Sequence, residues 1–227
     1  MLAQILLSER PEPEGRACHQ SVTGGGREHL TEEKYIINTL HALKKQTFDN
    51  LETIVVADSC TDNTRAIAKT RGCRVLEVNN RDVGKNRNQG AKHARADIIV
   101  FLDADVRVSP DYLSKLYLAV QRGCKHGRPY YYIDSPNPVV RNLNLVNNLF
   151  KMRYYPHTSF CTRELFMAIH GFPEGLKNSG EDLIYSDRLK AHSKGCMVEA
   201  KAYNSDRRFQ KNGSFKEILF LIKAVFQ

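Results

Sequence analysis

The 227-residue chain carries 34 Lys and Arg against 25 Asp and Glu, a formal net charge of +9, with 41% hydrophobic and 26% charged residues. That composition fits one globular domain, able to bury roughly 70% of the surface its unfolded chain exposes, and it excludes wholesale disorder, collagen and a disulfide scaffold. The apolar stretch Ile98 to Leu102 is far short of the ~20 residues that cross a bilayer. Met1 to Leu7 has too short an apolar core, and no basic residue before it, for a signal peptide. The cysteines at 18, 60, 73, 124, 161 and 196 include no CxxC pair and are read as reduced, mostly buried side chains of a cytosolic protein. The positive balance calls for an anionic partner: a phosphate-bearing ligand, a nucleic acid or an anionic membrane face.

Residues 8 to 30, with Pro11-Glu12-Pro13 and Gly24-Gly25-Gly26, show no helical or strand period and are expected to form a loop or a disordered arm. From Glu32 the spacing of Tyr35, Ile36, Leu40 and Leu43 predicts a helix ending near Gln46. Glu52 to Ala57 reads as a buried strand, followed by a polar turn and a helix to about Arg71. Arg74 to Val78 is the next strand, Lys85 to Arg95 the next helix, and Asp97 to Leu102 the most apolar strand. Strands alternating with helices at this spacing predict an α/β fold with a mostly parallel central sheet. In such sheets ligands bind at the carboxyl ends of strands, here Asp58, Asn79 and Asp103 onward.

The second half is less regular. A helix is expected after Ser109-Pro110, another over about Asn142 to Arg153, a Gly-rich turn around Gly171 to Gly180, and a helix from Glu181 to Ser193. An amphipathic run closes the chain from Phe215. Residues 1–31 are thus an atypical arm, 32–213 one domain, and 214–227 an amphipathic helix that packs on the protein or lies against anionic lipid.

Chemistry concentrates at Asp103-Ala104-Asp105, directly after the apolar strand. Two carboxylates two positions apart can place one on a divalent cation and the other on a ribose hydroxyl or a metal-bound water. Taken alone, the pair equally describes a solvated turn.

The context is Val55-Val56-Ala57-Asp58-Ser59-Cys60-Thr61-Asp62-Asn63-Thr64, then Gly84-Lys85-Asn86-Arg87-Asn88-Gln89-Gly90-Ala91, then Phe101-Leu102-Asp103-Ala104-Asp105 with Pro110 beyond. This ordered set resembles glycosyltransferase family 2, whose members have the GT-A fold and commonly read VVDDGSTDxT, ARNxG and FLDADD before a proline. The resemblance runs from about Glu32 to Gly213. It implies a nucleoside-diphosphate sugar as donor, UDP- or GDP-linked, with Mn²⁺ or Mg²⁺. It also implies that Asp58 bonds the base and that Arg87 meets the base or diphosphate, with Asn88 shaping the turn. Asp103 would hold the ribose or a metal water, and Asp105 the metal. On the residues alone, Asp58 and Asp62 are equally turn carboxylates that satisfy backbone donors, and Arg87 with Lys85 equally an exposed helix face.

Gly171-Phe172-Pro173-Glu174, Gly180-Glu181-Asp182, Arg188-Leu189 and Gly195 resemble the family's GFxE, ED, RL and G stretch. There the resemblance makes Asp182 the general base of an inverting transfer and Glu181 the residue that orients the acceptor; both are otherwise carboxylates favoured at a helix N-terminus. Ser205-Asp206-Arg207-Arg208-Phe209 looks like the family's C-terminal basic motif, giving Arg207 and Arg208 to the diphosphate, or else to solvent or lipid phosphate. His157 lies where relatives build an acceptor site, although a lone His of this kind also serves structure. The acceptor is expected to be a glycan, a polyprenyl phosphate or a small molecule, and the place of work the cytoplasm or the cytoplasmic face of the membrane.

One departure stands out. The family's opening strand, of the type VSVIIPxYNE, has no counterpart before Thr31. Either Met1 to Leu7 replaces it across a long loop, or the sheet lacks a strand and the chain is an inactive relative. A nucleotidyltransferase would need a Gly-rich phosphate loop after an N-terminal strand. A nucleic-acid-binding module would need clustered cations with stacking aromatics, whereas the charges here are scattered, so no nucleic-acid partner is expected.

Overall fold

A computed structural model of the chain describes residues 2–6, 18–21, 33–138, 140–141, 148, 158–176 and 180–212. In chain order the strands are β1 (Leu2–Leu6), β2 (Cys18–Ser21), β3 (Leu51–Asp58), β4 (Arg74–Val78), β5 (Ile98–Asp103), β6 (Val106–Val108), β7 (His126–Asp134), β8 (Thr158–Thr162) and β9 (Cys196–Ser205). The helices are α1 (Glu33–Lys44), α2 (Thr64–Thr70), α3 (Val83–His93), α4 (Tyr112–Gln121), α5 (Arg163–Ala168), α6 (Glu181–His192) and α7 (Arg207–Asn212). All nine strands form one sheet. The expected helix over 142–153, His157 and the C-terminal run lie outside the described residues.

The first half is the expected parallel sheet. β4 pairs with β3, and β2 lies parallel between β3 and β5. Every residue of β5 is buried, because helices cover both faces of a parallel strand and leave no polar side to alternate with. Ile98, Val100 and Leu102 face one core with α1 and α4, while Ile99 and Phe101 face a second with α5 and α6. Antiparallel pairs enter later: β5 with β8, β8 with β7 and β9 with β6, whereas β7 and β9 are parallel. The carboxyl ends of β3, β5, β7 and β9 consequently share one edge.

The N-terminal segment bears out one expectation in part, since Met1 to Leu7 does supply a strand in place of the missing one, and departs from the other. Residues 18–21 are a strand rather than loop, and they occupy the central place between β3 and β5 that the missing family strand leaves open. β2 covers only the first half of that lane, up to the pair Ser21↔Ile54. β1 completes it in the opposite direction, with Leu2 paired to Asp58 and Gln4 to Asp103. Two short segments thus stand in for one long strand. The missing apolar run had hidden β2, because a four-residue strand held on both sides by ladder hydrogen bonds needs little apolar pattern of its own.

The cysteines also differ from expectation. Cys124 and Cys196 are joined in a disulfide with Cα atoms 6.1 Å apart, 72 residues distant in sequence. The parallel pairing of β7 with β9, register Gly127↔Cys196, brings them together. Cys60 and Cys161 are buried and outside any disulfide, as expected, and burial pushes the Cys161 thiol up to about 12.

Candidate functional site

Asp58 ends β3 and is 1% exposed. Its carboxylate accepts hydrogen bonds from the backbone N–H groups of Asn80 (3.0 Å) and Arg81 (2.7 Å), the Asn86 amide (2.8 Å) and the Ser59 hydroxyl (2.9 Å). Four acceptances use about the full lone-pair capacity of a carboxylate. Two of the donors belong to residues in the left-handed region, Ser59 at φ 53° and Arg81 at φ 52°, a conformation that costs a side-chain-bearing residue about 1 kcal/mol or more. Asp58 therefore holds the strained loops after β3 and β4. Ser59 stands where the family pattern has glycine, and its positive φ gives the reason. Asp62 behaves as a turn carboxylate: it accepts from the N–H of Thr64 (3.1 Å) and of Glu33 (3.3 Å), tying the start of α2 to that of α1.

Arg87 is not on an exposed helix face. It is 3% exposed, on the inner side of α3, and its guanidinium meets carboxylates from two motifs. Nη1 donates to Asp182 at 2.5 Å and lies 3.5 Å from Glu181, while Nη2 is 3.5 Å from Asp103. Burial opposes the guanidinium charge, but Asp182, then Asp103 and Glu181, outweigh it and raise its pKa above the ordinary value. The guanidinium also sits 4.9 Å from the ring centroid of Phe172, which stacks on Tyr185 at 3.7 Å. Phe172 was visible only as part of the GFxE motif; its cation–π contact depends on α6 and α3 meeting.

The loop carrying Phe172 is fastened to α3. Asn88 donates to the Phe172 carbonyl (3.0 Å) and to Glu174 (2.7 Å), and accepts from the Phe172 N–H (2.8 Å). Gly84 lets the two backbones touch, since a Cβ there would collide with the Pro173 carbonyl. Asn88 thus fastens the 172–174 loop to α3.

Asp103 (6% exposed) closes β5 and Asp105 lies two residues on. The Thr39 hydroxyl of α1 donates to the Ala104 carbonyl between them at 2.7 Å. Asp105 Oδ2 accepts from the Ser205 hydroxyl and from Arg207 Nε, each at 2.8 Å. The Arg207 guanidinium lies over the ring of Tyr35, 5.3 Å from its centroid. Tyr35 had read only as part of an amphipathic face, and Ser205 as a motif residue without a task. Arg208 lies in α7 beside Arg207.

Glu181 and Asp182 open α6, where the helix dipole favours negative charge, and Glu181 accepts from the Gly180 N–H at 3.0 Å. The structure therefore brings Asp103, Arg87, Glu181 and Asp182 into one ion-paired cluster and sets Asp105 with Arg207 at its rim. Among the described residues no three His, Cys, Asp or Glu side chains gather as a metal cage. Two hard carboxylates fit Mg²⁺ or Mn²⁺ of the kind that fills its shell with phosphate oxygens and water.

The family model described as Glycosyl transferase family 2 matches residues 29–175. The chain is 27% identical over 193 residues to the poly(ribitol-phosphate) beta-N-acetylglucosaminyltransferase TarS of Staphylococcus aureus, covering 75% of this chain and 33% of that protein. It is 31% identical over 94 residues to the glycosyltransferase GlyG of Streptococcus pneumoniae, covering 39% of this chain and 31% of that one. The chain thus spans about a third of the length of these relatives. The crystal structure of S. aureus TarS 1-349 superposes with a TM-score of 0.64 at 21% identity, over 86% of this chain and 62% of that one. The same fragment in complex with UDP-GlcNAc gives 0.64 at 22% identity, over 78% and 56%. The fold is GT-A, and with a family match across more than half of its residues the chain belongs to glycosyltransferase family 2.

Proposed function

We propose that the chain is the catalytic domain of an inverting, metal-dependent glycosyltransferase that takes its sugar from a nucleoside-diphosphate donor. The observation that carries this reading is the buried Arg87, which ties Asp103 at the end of β5 to Asp182 at the start of α6. The Asp182 side chain is 18% exposed and so reachable from solvent. Its carboxylate takes the acceptor hydroxyl's proton as that oxygen forms a bond to the anomeric carbon, on the face opposite the breaking bond to the diphosphate. Glu181 orients the acceptor. Asp103 and Asp105 would hold Mn²⁺ or Mg²⁺, which when bound supplies charge neutralisation for the leaving diphosphate. Arg207, beside Asp105, adds a cationic contact to the same group, for which the sequence motif offers Arg208 as the second candidate.

UDP-sugars are the first donors to test, because the TarS fragment was solved with UDP-GlcNAc and with UDP. Calorimetric titration with UDP and GDP, with and without Mn²⁺, should show metal-dependent binding of one of them, and Asp105→Ala should weaken it at least about tenfold, the loss of one charged ligand contact. No nucleotide binding, or binding indifferent to that substitution, overturns the proposal. A second reading, a relative that does not transfer sugar, rests on one observation: the lane beside Asp58 and Asp103 is closed by the antiparallel β1 instead of a single parallel strand. Nucleotide binding without transfer to any acceptor would favour it.

A further inference from the structure

The contact between Arg207 and Asp105 places a cation where the proposed metal must bind. Arg207 Nε and the Ser205 hydroxyl both donate to the same oxygen, Oδ2 of Asp105, at 2.8 Å. The pair is partly shielded, with side chains 16% and 13% exposed, so the contact is stronger than a surface ion pair but still reachable by solutes. The arginine belongs to the first residue of α7, a six-residue helix. That helix is tethered through Asp206, which accepts from the Ser135 hydroxyl at 2.7 Å and from Gln210 at 2.6 Å, so the backbone stays at the rim even if the Arg207 side chain swings. Tyr35 supplies an aromatic face beside the guanidinium at 5.3 Å, a surface along which it can move without losing all its contacts.

Resting on the glycosyltransferase reading, we infer that Arg207 is an exchangeable internal counterion. It occupies Asp105 in the ligand-free protein, gives way when a divalent cation takes that carboxylate, and then pairs with the donor's diphosphate, which arrives with the cation. A dication and a guanidinium repel each other at one carboxylate, while a diphosphate attracts both. The exchange makes metal alone bind weakly and makes metal and nucleotide bind together. Arg87 cannot make the same exchange, because it is buried and held by three carboxylates.

The test separates this from a merely structural arginine by the sign of two effects. In Arg207→Gln, Mn²⁺ alone, followed by electron paramagnetic resonance, should bind roughly three- to tenfold tighter, and UDP in saturating Mn²⁺ should bind about tenfold weaker, each the scale of one charge-assisted hydrogen bond. In Asp105→Asn, UDP without metal should bind more tightly than it does to the unaltered chain without metal, because Arg207 is released. A structural role for Arg207 would weaken both ligands together. Mn²⁺ affinity unchanged or reduced in Arg207→Gln, or no gain of metal-free UDP binding in Asp105→Asn, overturns the exchange. Failure of the unaltered chain to bind UDP with Mn²⁺ overturns the glycosyltransferase reading itself, and the exchange with it.

Discussion

Two parallel strands of one sheet, β3 and β5 with β2 between them, end in aspartates that do different things. Asp58, at the end of β3, accepts hydrogen bonds from two backbone N–H groups, an amide and a hydroxyl, all neutral donors fixed by the fold. Asp103 and Asp105, at and beyond the end of β5, meet arginines. A carboxylate saturated by backbone donors is part of the scaffold and cannot change partners without breaking a loop. Asp103 meets a buried arginine that three carboxylates hold in place, whereas Asp105 meets the partly exposed Arg207, the pair for which the exchange is proposed. Residue type and strand position do not distinguish the two cases; the chemistry of the partner does.

The contrast can be broken most severely at Arg87. Arg87→Met leaves Asp103, Glu181 and Asp182 without their shared cation, and denaturant unfolding should register a loss of about 3–5 kcal/mol, as for a buried ion network deprived of one partner. Asp58→Ala comes next. Its neutral donors lose their acceptor and two left-handed residues lose their restraint, so about 2–4 kcal/mol of stability should go, with hydrogen exchange rising at Asn80 and Arg81.

Gly84→Ala tests the docking between α3 and the 171–174 loop, and the collision with the Pro173 carbonyl should cost about 1–3 kcal/mol in the same measurement. Asp105→Ala sharpens the comparison from the other side. It removes a partly exposed pair, so stability should change by about 1 kcal/mol or less while metal-dependent nucleotide binding is lost.

The smallest effect belongs to an exposed carboxylate. Glu77, with Lys69 and Arg65 both at 2.9 Å, has its pKa lowered, first by the Lys69 hydrogen bond and then by that of Arg65. A lowered folded pKa gives stability that is complete above the ordinary carboxylate range and is lost as pH falls through the lowered value. Glu77→Ala and the unaltered chain should therefore differ slightly at neutral pH and converge in acid, and added salt should erase the difference.

Much of the first half was legible because its signals are local. The periodicity of Tyr35, Ile36, Leu40 and Leu43, the apolar run into Asp103, and the carboxylates that open α6 each follow from residues within a few positions of one another. The motifs also singled out Asp103, Asp105, Asp182 and Arg207, and the structure pairs two of these carboxylates with Arg87 and one with Arg207. Illegible were the partners. For Arg87, read as a contact to the base or diphosphate or else as part of an exposed helix face, spacing on α3 says nothing of the loop and helix that cover it. For Asp58, nothing local shows that Asn80, Arg81 and Asn86 turn back toward it.

The sequence by itself determined an α/β chain with acidic strand ends, since side-chain period and strand termini are written in neighbouring residues. Only the tertiary structure decided that β2 and β1 share one lane, that Cys124 meets Cys196, and that Asp105 meets Ser205 across a sequence separation of 100 residues. The physical reason is the range of the forces concerned. Local preference fixes the elements, but a contact between distant residues depends on which strands come to lie side by side, and that is settled by burial of the whole sheet at once.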